Sequence, residues 1–280
     1  MDGTMNMRYS PGPNELSSLD TKALRSHFLV SDLFQQGRVS LHVIDLDRAV
    51  IGGAVPGAEP LVLETIDHLS SEYFLERREA GILNVGGPGS IAADGTEFSL
   101  SARDVLYVSR GTRDVRFFSA DPSNPAKFYI VSYPAHSGFP TTLVRAEDAQ
   151  ANELGTSERA NRRRIARYIH REGARSAQLV MGVTVLEPGS VWNTMPAHTH
   201  DRRSEIYLYF DLPADAMVVH LLGQPQETRS LIVRDGEAAL SPGWSIHAGC
   251  GTSSYAFCWA MGGENQDYAD MDPVAIEDLR

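Results

Sequence analysis

From residue 38 onward the chain is written in short apolar runs cut off by Gly, Asp, Asn and Pro, and that rhythm constrains the fold more than any other feature. VSLHVIDLDRAVIGG, AGILNVGG, GSIAADGTEFSL, DVLYVSRG, VRFFSA and AKFYIVSYPAH follow one another in the first half. QLVMGVTVLEPGSVWNTMP, EIYLYFDL, AMVVHLLG, TRSLIVRDGEAALSPGWSIHAG and SYAFCWAMGG resume the style in the second. Such runs, bounded by turn formers, read as strands, and no long amphipathic helix interrupts them. Short antiparallel strands bury one face by closing into sandwiches or barrels. The expected fold is all-β with a few short helices.

The halves are similar in outline. FLERREAGILNVGG corresponds to RRSEIYLYF, and GTEFSLSARDVLYVSRG to GEAALSPGWSIHAG, which indicates a duplicated antiparallel barrel. Residues 1–20, polar and rich in Gly, Pro and Ser, are expected to lie over the surface. Residues 21–136 are then an N-terminal barrel, 137–176 a connecting segment and 177–280 a C-terminal barrel. LDTKALRSHFLVSDLF opens the first barrel as a short helix or turn leading into a strand, with Leu24, Phe28 and Leu29 spaced for burial.

The chemistry concentrates in NTMPAHTHDRRSEIYLYF, residues 193–210. On an extended backbone His198 and His200 leave the same face, and Glu205 follows within reach. Downstream, Pro242 and Gly243 make a turn in LSPGWSIHAG and His247 follows it. Three imidazoles and one carboxylate are a mixed nitrogen and oxygen set suited to zinc, iron, manganese or nickel. A lone HxH is ordinarily a pair of surface or core histidines. With Glu205, Gly236, Pro242 and His247 in order behind it, the pattern resembles the two-part metal signature of the cupin superfamily. The first copy has neither HxH nor a histidine at the place of His247, so the metal is expected in the second barrel alone.

The net charge of −11 argues against a nucleic-acid surface. The basic run Arg162, Arg163, Arg164 is a local exception, expected to be a solvated linker face or a subunit contact. No stretch approaches the roughly 20 apolar residues that cross a bilayer, and the first residues lack the apolar core of a signal peptide, so no membrane association and a cytoplasmic location are expected. Cys250 and Cys258 fit neither a CxxC motif nor a disulfide framework and read as reduced strand residues.

YFLERREAG (73–81), NTMPAHTHDRRSEIYLYF (193–210), GQPQETR (223–229), SPGWSIHAGCGT (241–252) and GGENQDYADMD (262–272) together resemble the 4-deoxy-L-threo-5-hexosulose-uronate ketol-isomerase family, also called 5-keto-4-deoxyuronate isomerase. The similarity runs from LDTKALRSHFLV to the terminal IEDLR. It implies a bicupin of two tandem barrels or jelly rolls, a homohexamer, and one divalent metal per subunit, zinc, on His198, His200, Glu205 and His247. It also implies an intramolecular oxidoreductase of pectin degradation that converts an open-chain 4-deoxy-5-keto-uronate to 3-deoxy-D-glycero-2,5-hexodiulosonate. Such an aldose–ketose conversion removes a proton from C2 and returns one to C1, assisted by a Lewis acid.

Candidate proton carriers are Glu227, His220 and Tyr207, with Glu227 leading because GQPQ around it is uncharged. Guanidinium groups suit the substrate carboxylate, which points to at least one of Arg202, Arg203 and Arg229, the others being expected to form ion pairs within the barrel or across subunits; Gln226 and Trp244 are candidates for the pocket wall. For Tyr207, His220 and Trp244, plain barrel packing is an equal alternative. The rival readings are 5-deoxyglucuronate isomerase of inositol catabolism, an iron-dependent cupin dioxygenase, and a noncatalytic uronate-binding bicupin.

Overall fold

The structure, a computed structural model, describes residues 7–280; residues 1–6 of the expected surface segment lie outside the described residues. Strands dominate, and α-helix is confined to Pro13–Leu16 and Thr21–Phe28 among the described residues. Asp20 caps the second helix by accepting from the Ala23 N–H at 2.7 Å. Leu24 and Phe28 are spaced four apart on one face of this helix and are buried. The chain then passes directly into the strand Leu29–Val30, as its sequence suggests.

The chain divides into two compact units, each discontinuous in sequence. The first comprises residues 7–8, Asp32–Gln150 and Arg167–Met181. Its larger sheet has the order Thr142–Val144, Val105–Val108, Arg78–Asn84, Phe128–Pro134, Val50–Ala54, Val39–Val43. A four-stranded sheet is ordered Leu61–Val62, Val115–Ser119, Gly89–Ala93, Thr96–Leu100. Alternation along the central strand sends Ala80 and Ile82 into an apolar core with Ile91, Leu106, Val108, Phe117, Phe128 and Ile130. Glu79 has the opposite parity and is fully buried. Its carboxylate accepts from the N–H groups of Ala177, Gln178 and Leu179 at 2.6 to 2.8 Å and from the Tyr107 hydroxyl at 2.8 Å.

The second unit comprises Tyr9–Ser31, Ala151–Ala166 and Gly182–Arg280. A seven-stranded sheet runs Leu29–Val30, Ala238–Ser241, Arg203–Phe210, Ala256–Gly263, Val180–Leu186, Arg163–Ile169, Gln150–Leu154. A four-stranded sheet runs Trp192–Asn193, Ile246–Gly251, Val218–Gln224, Glu227–Val233. The short pair His198–Thr199 and Asp272–Pro273 stands apart from both.

These units are cut differently from the sequence reading. Residues 21–31, expected at the start of the first barrel, belong to the second unit, where Leu29 and Val30 pair with Ala239 and Ala238. Arg229 holds the preceding segment by donating to the Leu16 and Leu19 carbonyls at 2.9 and 2.8 Å. Such an edge pairing is set by tertiary structure and leaves no composition shift to read. Of the stretch 137–176, residues 151–166 fall in the second unit and the rest in the first. Among the described residues no helix is long and apolar enough to cross a membrane.

Candidate metal centre

Three separate pieces of the second unit deliver the four candidate ligands. His198 and His200 come from the short strand and the turn after it, Glu205 from the buried strand Arg203–Phe210, and His247 from Ile246–Gly251. The two halves of the motif are pinned together by the His200 N–H donating to the Gly243 carbonyl at 3.1 Å. Glycine is required at 243 because a Cβ there would stand 2.6 Å from the His200 carbonyl oxygen.

The four donor atoms lie within 4.8 Å of one another. His198 Nε2 is 3.1 Å from His200 Nε2 and 3.0 Å from His247 Nε2. Glu205 Oε2 is 2.8 Å from His247 Nε2 and 3.1 Å from His200 Nε2. Four of the six donor separations are thus close to 3 Å, near enough for the four atoms to share one ion at bonds of about 2.0–2.2 Å. The far side of two rings is also arranged for ligation. His200 Nδ1 is 2.8 Å from the Asp270 carbonyl oxygen and His247 Nδ1 is 3.2 Å from Ser241 Oγ. A proton held on Nδ1 leaves the Nε2 lone pair free for the centre. The donor set therefore fits a divalent first-row ion, which His198, His200, Glu205 and His247 would hold.

Electrostatics point the same way. Burial, with His247 adding to it, lowers the His198 pKa to about 3, so this imidazole is neutral at pH 7. For Glu205, burial works to raise the pKa, but His247 and His200 outweigh it and hold the carboxyl well below its usual range. For His200, the opposing pull of the Glu205 carboxylate exceeds burial and raises the pKa. A buried carboxylate kept ionised beside the neutral His198 imidazole is what a cation requires.

A cavity of about 280 Å3 opens onto His198, His200 and Glu205. Alternation supplies much of its wall: Phe257, Trp259 and Met261 from one strand, Arg163 and Ile165 from another, with Tyr207, Thr194 and Tyr268 beside them. Gly182 lets this wall close, because a Cβ there would overlap the Trp259 ring. The Trp259 indole N–H donates to Thr184 Oγ1 at 3.2 Å, fixing the ring.

Of the other candidate catalytic and substrate-binding residues, Tyr207 lines this cavity. Its hydroxyl is 3.1 Å from Thr194 Oγ1, and burial, reinforced by Glu205, raises its pKa well above 10, so it keeps its proton. His220 is buried beside it, with Nδ1 2.7 Å from the Tyr209 hydroxyl. Glu227 and Gln226 are exposed at a hairpin, because Gln224 pairs with Glu227 and leaves Pro225 and Gln226 as the turn. Trp244 packs edge-on against Phe28, with centroids 6.5 Å apart.

The expected carboxylate-binding arginines are already engaged. Arg202 forms ion pairs with Asp270 at 2.6 Å and Asp272 at 2.8 Å. Arg203 donates to the carbonyls of Asp270 and Asp267 at 2.6 and 2.7 Å, and Arg229 to the N-terminal segment. Arg202 and Arg203 hold the loop that orients His200, and none of the three lines the cavity. The sequence reading missed Arg163, Thr194 and Tyr268. For Arg163 the signal was the period of two in RRIARYI, which puts Arg163 and Ile165 on one face.

A duplicated β-barrel with a three-histidine, one-carboxylate cluster in its second copy defines a bicupin whose cluster could hold a metal ion. A model of the KduI/IolB family matches residues 28–276, and the chain belongs to that family. Relatives named 4-deoxy-L-threo-5-hexosulose-uronate ketol-isomerase include proteins of Opitutus terrae, 54% identical over 278 residues, and Caldicellulosiruptor bescii, 49% identical over 276 residues. Each alignment covers 99% of this chain and 100% of the relative. Among solved structures, an IolB-like protein from Salmonella typhimurium superposes with a TM-score of 0.73 at 13% identity, covering 88% of this chain and 96% of that one. Bacillus subtilis oxalate decarboxylase, described with Mn(II) centres, gives 0.55 at 11% identity over 80% of this chain and 71% of that one. Both likenesses concern the fold.

Proposed function

We propose that this protein is the ketol-isomerase that interconverts 4-deoxy-L-threo-5-hexosulose uronate and 3-deoxy-D-glycero-2,5-hexodiulosonate in pectin degradation. The observation that carries the reading is the four-ligand cluster opening on a cavity, in a chain about half identical to ketol-isomerases over its full length.

A divalent ion on His198, His200, Glu205 and His247 would supply Lewis-acid polarisation of the sugar carbonyl. The chain's own groups have the remaining work. The wall of Phe257, Trp259 and Met261 excludes water and so strengthens every electrostatic contact within. Hydrogen must also pass between O1 and O2 as the carbonyl moves inward. Tyr207, held protonated and oriented by Thr194, is the hydroxyl in place to donate to whichever oxygen carries the developing charge. We propose zinc as the ion, one per subunit of a cytoplasmic homohexamer; support for these comes from the family resemblance.

Proton NMR of metal-loaded and chelator-treated protein with fresh 4-deoxy-5-keto-uronate in D2O tests the reading. The 2,5-diketo product should appear only with metal and carry deuterium at C1. Loaded protein that leaves the uronate unchanged but converts 5-deoxyglucuronate, or consumes oxygen with iron bound, would overturn it in favour of the inositol enzyme or a dioxygenase. Elemental analysis and light scattering check zinc and the hexamer.

A further inference from the structure

The cavity that opens on the metal-ligating cluster has a cation at its wall that no carboxylate of the chain answers. Arg163 lines it together with Tyr207 and Tyr268. The protein carries 36 acidic residues against 25 Lys and Arg, so a half-buried arginine has abundant candidates for an ion pair. Arg202 in the same unit takes two. Among the described residues none pairs with Arg163. One hydrogen bond fixes it, Nη1 donating to the Asn161 carbonyl at 2.8 Å. Its charge is felt by the hydroxyls of Tyr207, Tyr268 and Tyr255, and burial lowers its pKa without titrating it at neutral pH.

A guanidinium drawn partly out of water without a counter-charge is costly unless something anionic arrives to meet it. The proposed substrate brings one. Its reacting carbons, C1 and C2, are at one end of an open six-carbon chain and its carboxylate is at the other. We infer that Arg163 forms a carboxylate subsite, receiving the C6 carboxylate of the sugar acid while C1 and C2 face the ligand cluster. The planar fork of a guanidinium matches both carboxylate oxygens, and its fixed position selects uronates over neutral sugars. Arg163 thereby sets which end of the chain reaches the cluster. The inference rests on the proposed uronate substrate.

The test uses chelator-treated and metal-loaded full-length protein and two sugars: the 4-deoxy-5-keto-uronate and its C6-alcohol counterpart, which lacks the charge. Calorimetric binding to metal-free protein and kcat/KM of the loaded enzyme are read for wild type, Arg163→Met and Arg163→Lys. In Arg163→Met, affinity for the uronate should fall roughly 10- to 100-fold, while affinity for the neutral sugar is unchanged. The preference for the acid should therefore collapse, and Arg163→Lys should restore part of it. KM should carry more of the loss than kcat, and metal content should stay at the wild-type level. An Arg163→Met protein that keeps the full wild-type preference overturns the inference. Should that variant fail to fold, Arg163→Lys decides alone, since an undiminished preference with the fork removed also overturns it. Wild type that neither binds nor converts the uronate refutes the proposed function itself, a result distinct from either.

Discussion

His220 offers a quantitative check on the interior of the second barrel. Its ring lies 5.9 Å from Tyr207 and 5.8 Å from Tyr209, and its Nε2 has no hydrogen-bond partner among the described residues. Burial, with His247 adding to it, lowers its pKa from 6.5 to about 3. In the unfolded chain the same imidazole is free to take a proton as pH falls below 6.5. Between pH 6.5 and about 3 the unfolded state therefore holds one proton more, and stability falls with falling pH by about 1.4 kcal/mol per unit. From pH 6.5 to pH 5 is 6.5 − 5 = 1.5 units, or about 2 kcal/mol from this side chain. Above pH 6.5 neither state is charged there and the contribution is flat.

The perturbation is His220→Phe, which removes the titration and keeps a flat ring between the tyrosines. It removes one of the two partners of the Tyr209 hydroxyl, Asn193 being the other, an offset of about 1–3 kcal/mol against the variant at every pH. Urea unfolding of metal-free protein is followed by tryptophan fluorescence, which reports the second unit because Trp192, Trp244 and Trp259 all lie there. His198 titrates in both proteins and cancels in the comparison. The stability gap measured at pH 8 should narrow by about 2 kcal/mol at pH 5. Parallel curves from pH 8 to 5, or a widening gap, would show that His220 is protonated in the folded protein and that the buried-neutral argument fails.

Three further outcomes are expected. Glu205→Gln removes the one anionic ligand; hydrogen-bond partners of ligands alone are worth about 10–100-fold in metal affinity, so this change should cost more than about 100-fold, with the loss visible in metal stoichiometry after dialysis. Stoichiometric metal in that variant would remove Glu205 from the centre. Arg202→Ala removes the ion pair on Asp270, whose carbonyl faces His200 Nδ1, and should weaken metal binding about 10-fold with little change in melting temperature, as a competitive chelator titration would read. An unaltered chelator midpoint would mean the loop keeps its place without the ion pairs. Glu79→Ala strands three backbone N–H groups and should destabilise the first unit by about 3 kcal/mol or more, measured as earlier loss of amide protection in Arg78–Asn84 and Val105–Val108; equal protection would show that the carboxylate is dispensable.

What the sequence made legible is what depends on neighbours along the chain. The strand rhythm yields an all-β duplicated barrel because period-two burial is a local property. His198, His200 and Glu205 sit close together in sequence, and the Pro242–Gly243 turn marks where His247 returns. Tyr207, two residues on, shares the face of Glu205 by the same alternation. The proposals at Arg202, Arg203, Glu227 and Gln226 rested on proximity to those motifs, and proximity does not say which way a loop or hairpin tip turns. Asp270 and Asp272, nearly seventy residues on, claim Arg202, and no local pattern announces that pairing. Arg163 sat in a basic run that reads as solvated; only the pairing of its strand within the seven-stranded sheet turns one of three consecutive arginines to the cavity.

The two barrels show why, among the described residues, the candidate cluster falls in the second. Arg78–Asn84 lies between Val105–Val108 and Phe128–Pro134, and Arg203–Phe210 between Ala238–Ser241 and Ala256–Gly263. In these equivalent ladders Ala80 pairs with Val108 and Ser132, whereas Glu205 pairs with Ser241 and Met261. The inward row is Ala80 and Ile82 in one copy and Glu205, Tyr207 and Tyr209 in the other. Small and branched apolar groups give the first interior an apolar core. A carboxylate and hydroxyls there would each need a partner, at about 1–3 kcal/mol for every one left unsatisfied. The second interior meets much of that demand by pairing polar groups with one another, and it opens on a cavity that a polar ligand could enter. A barrel of this size accommodates either a closed apolar core or such a centre along the same strand positions. Duplication lets the chain have both, with the first copy free to stay apolar because the second has taken on the chemistry.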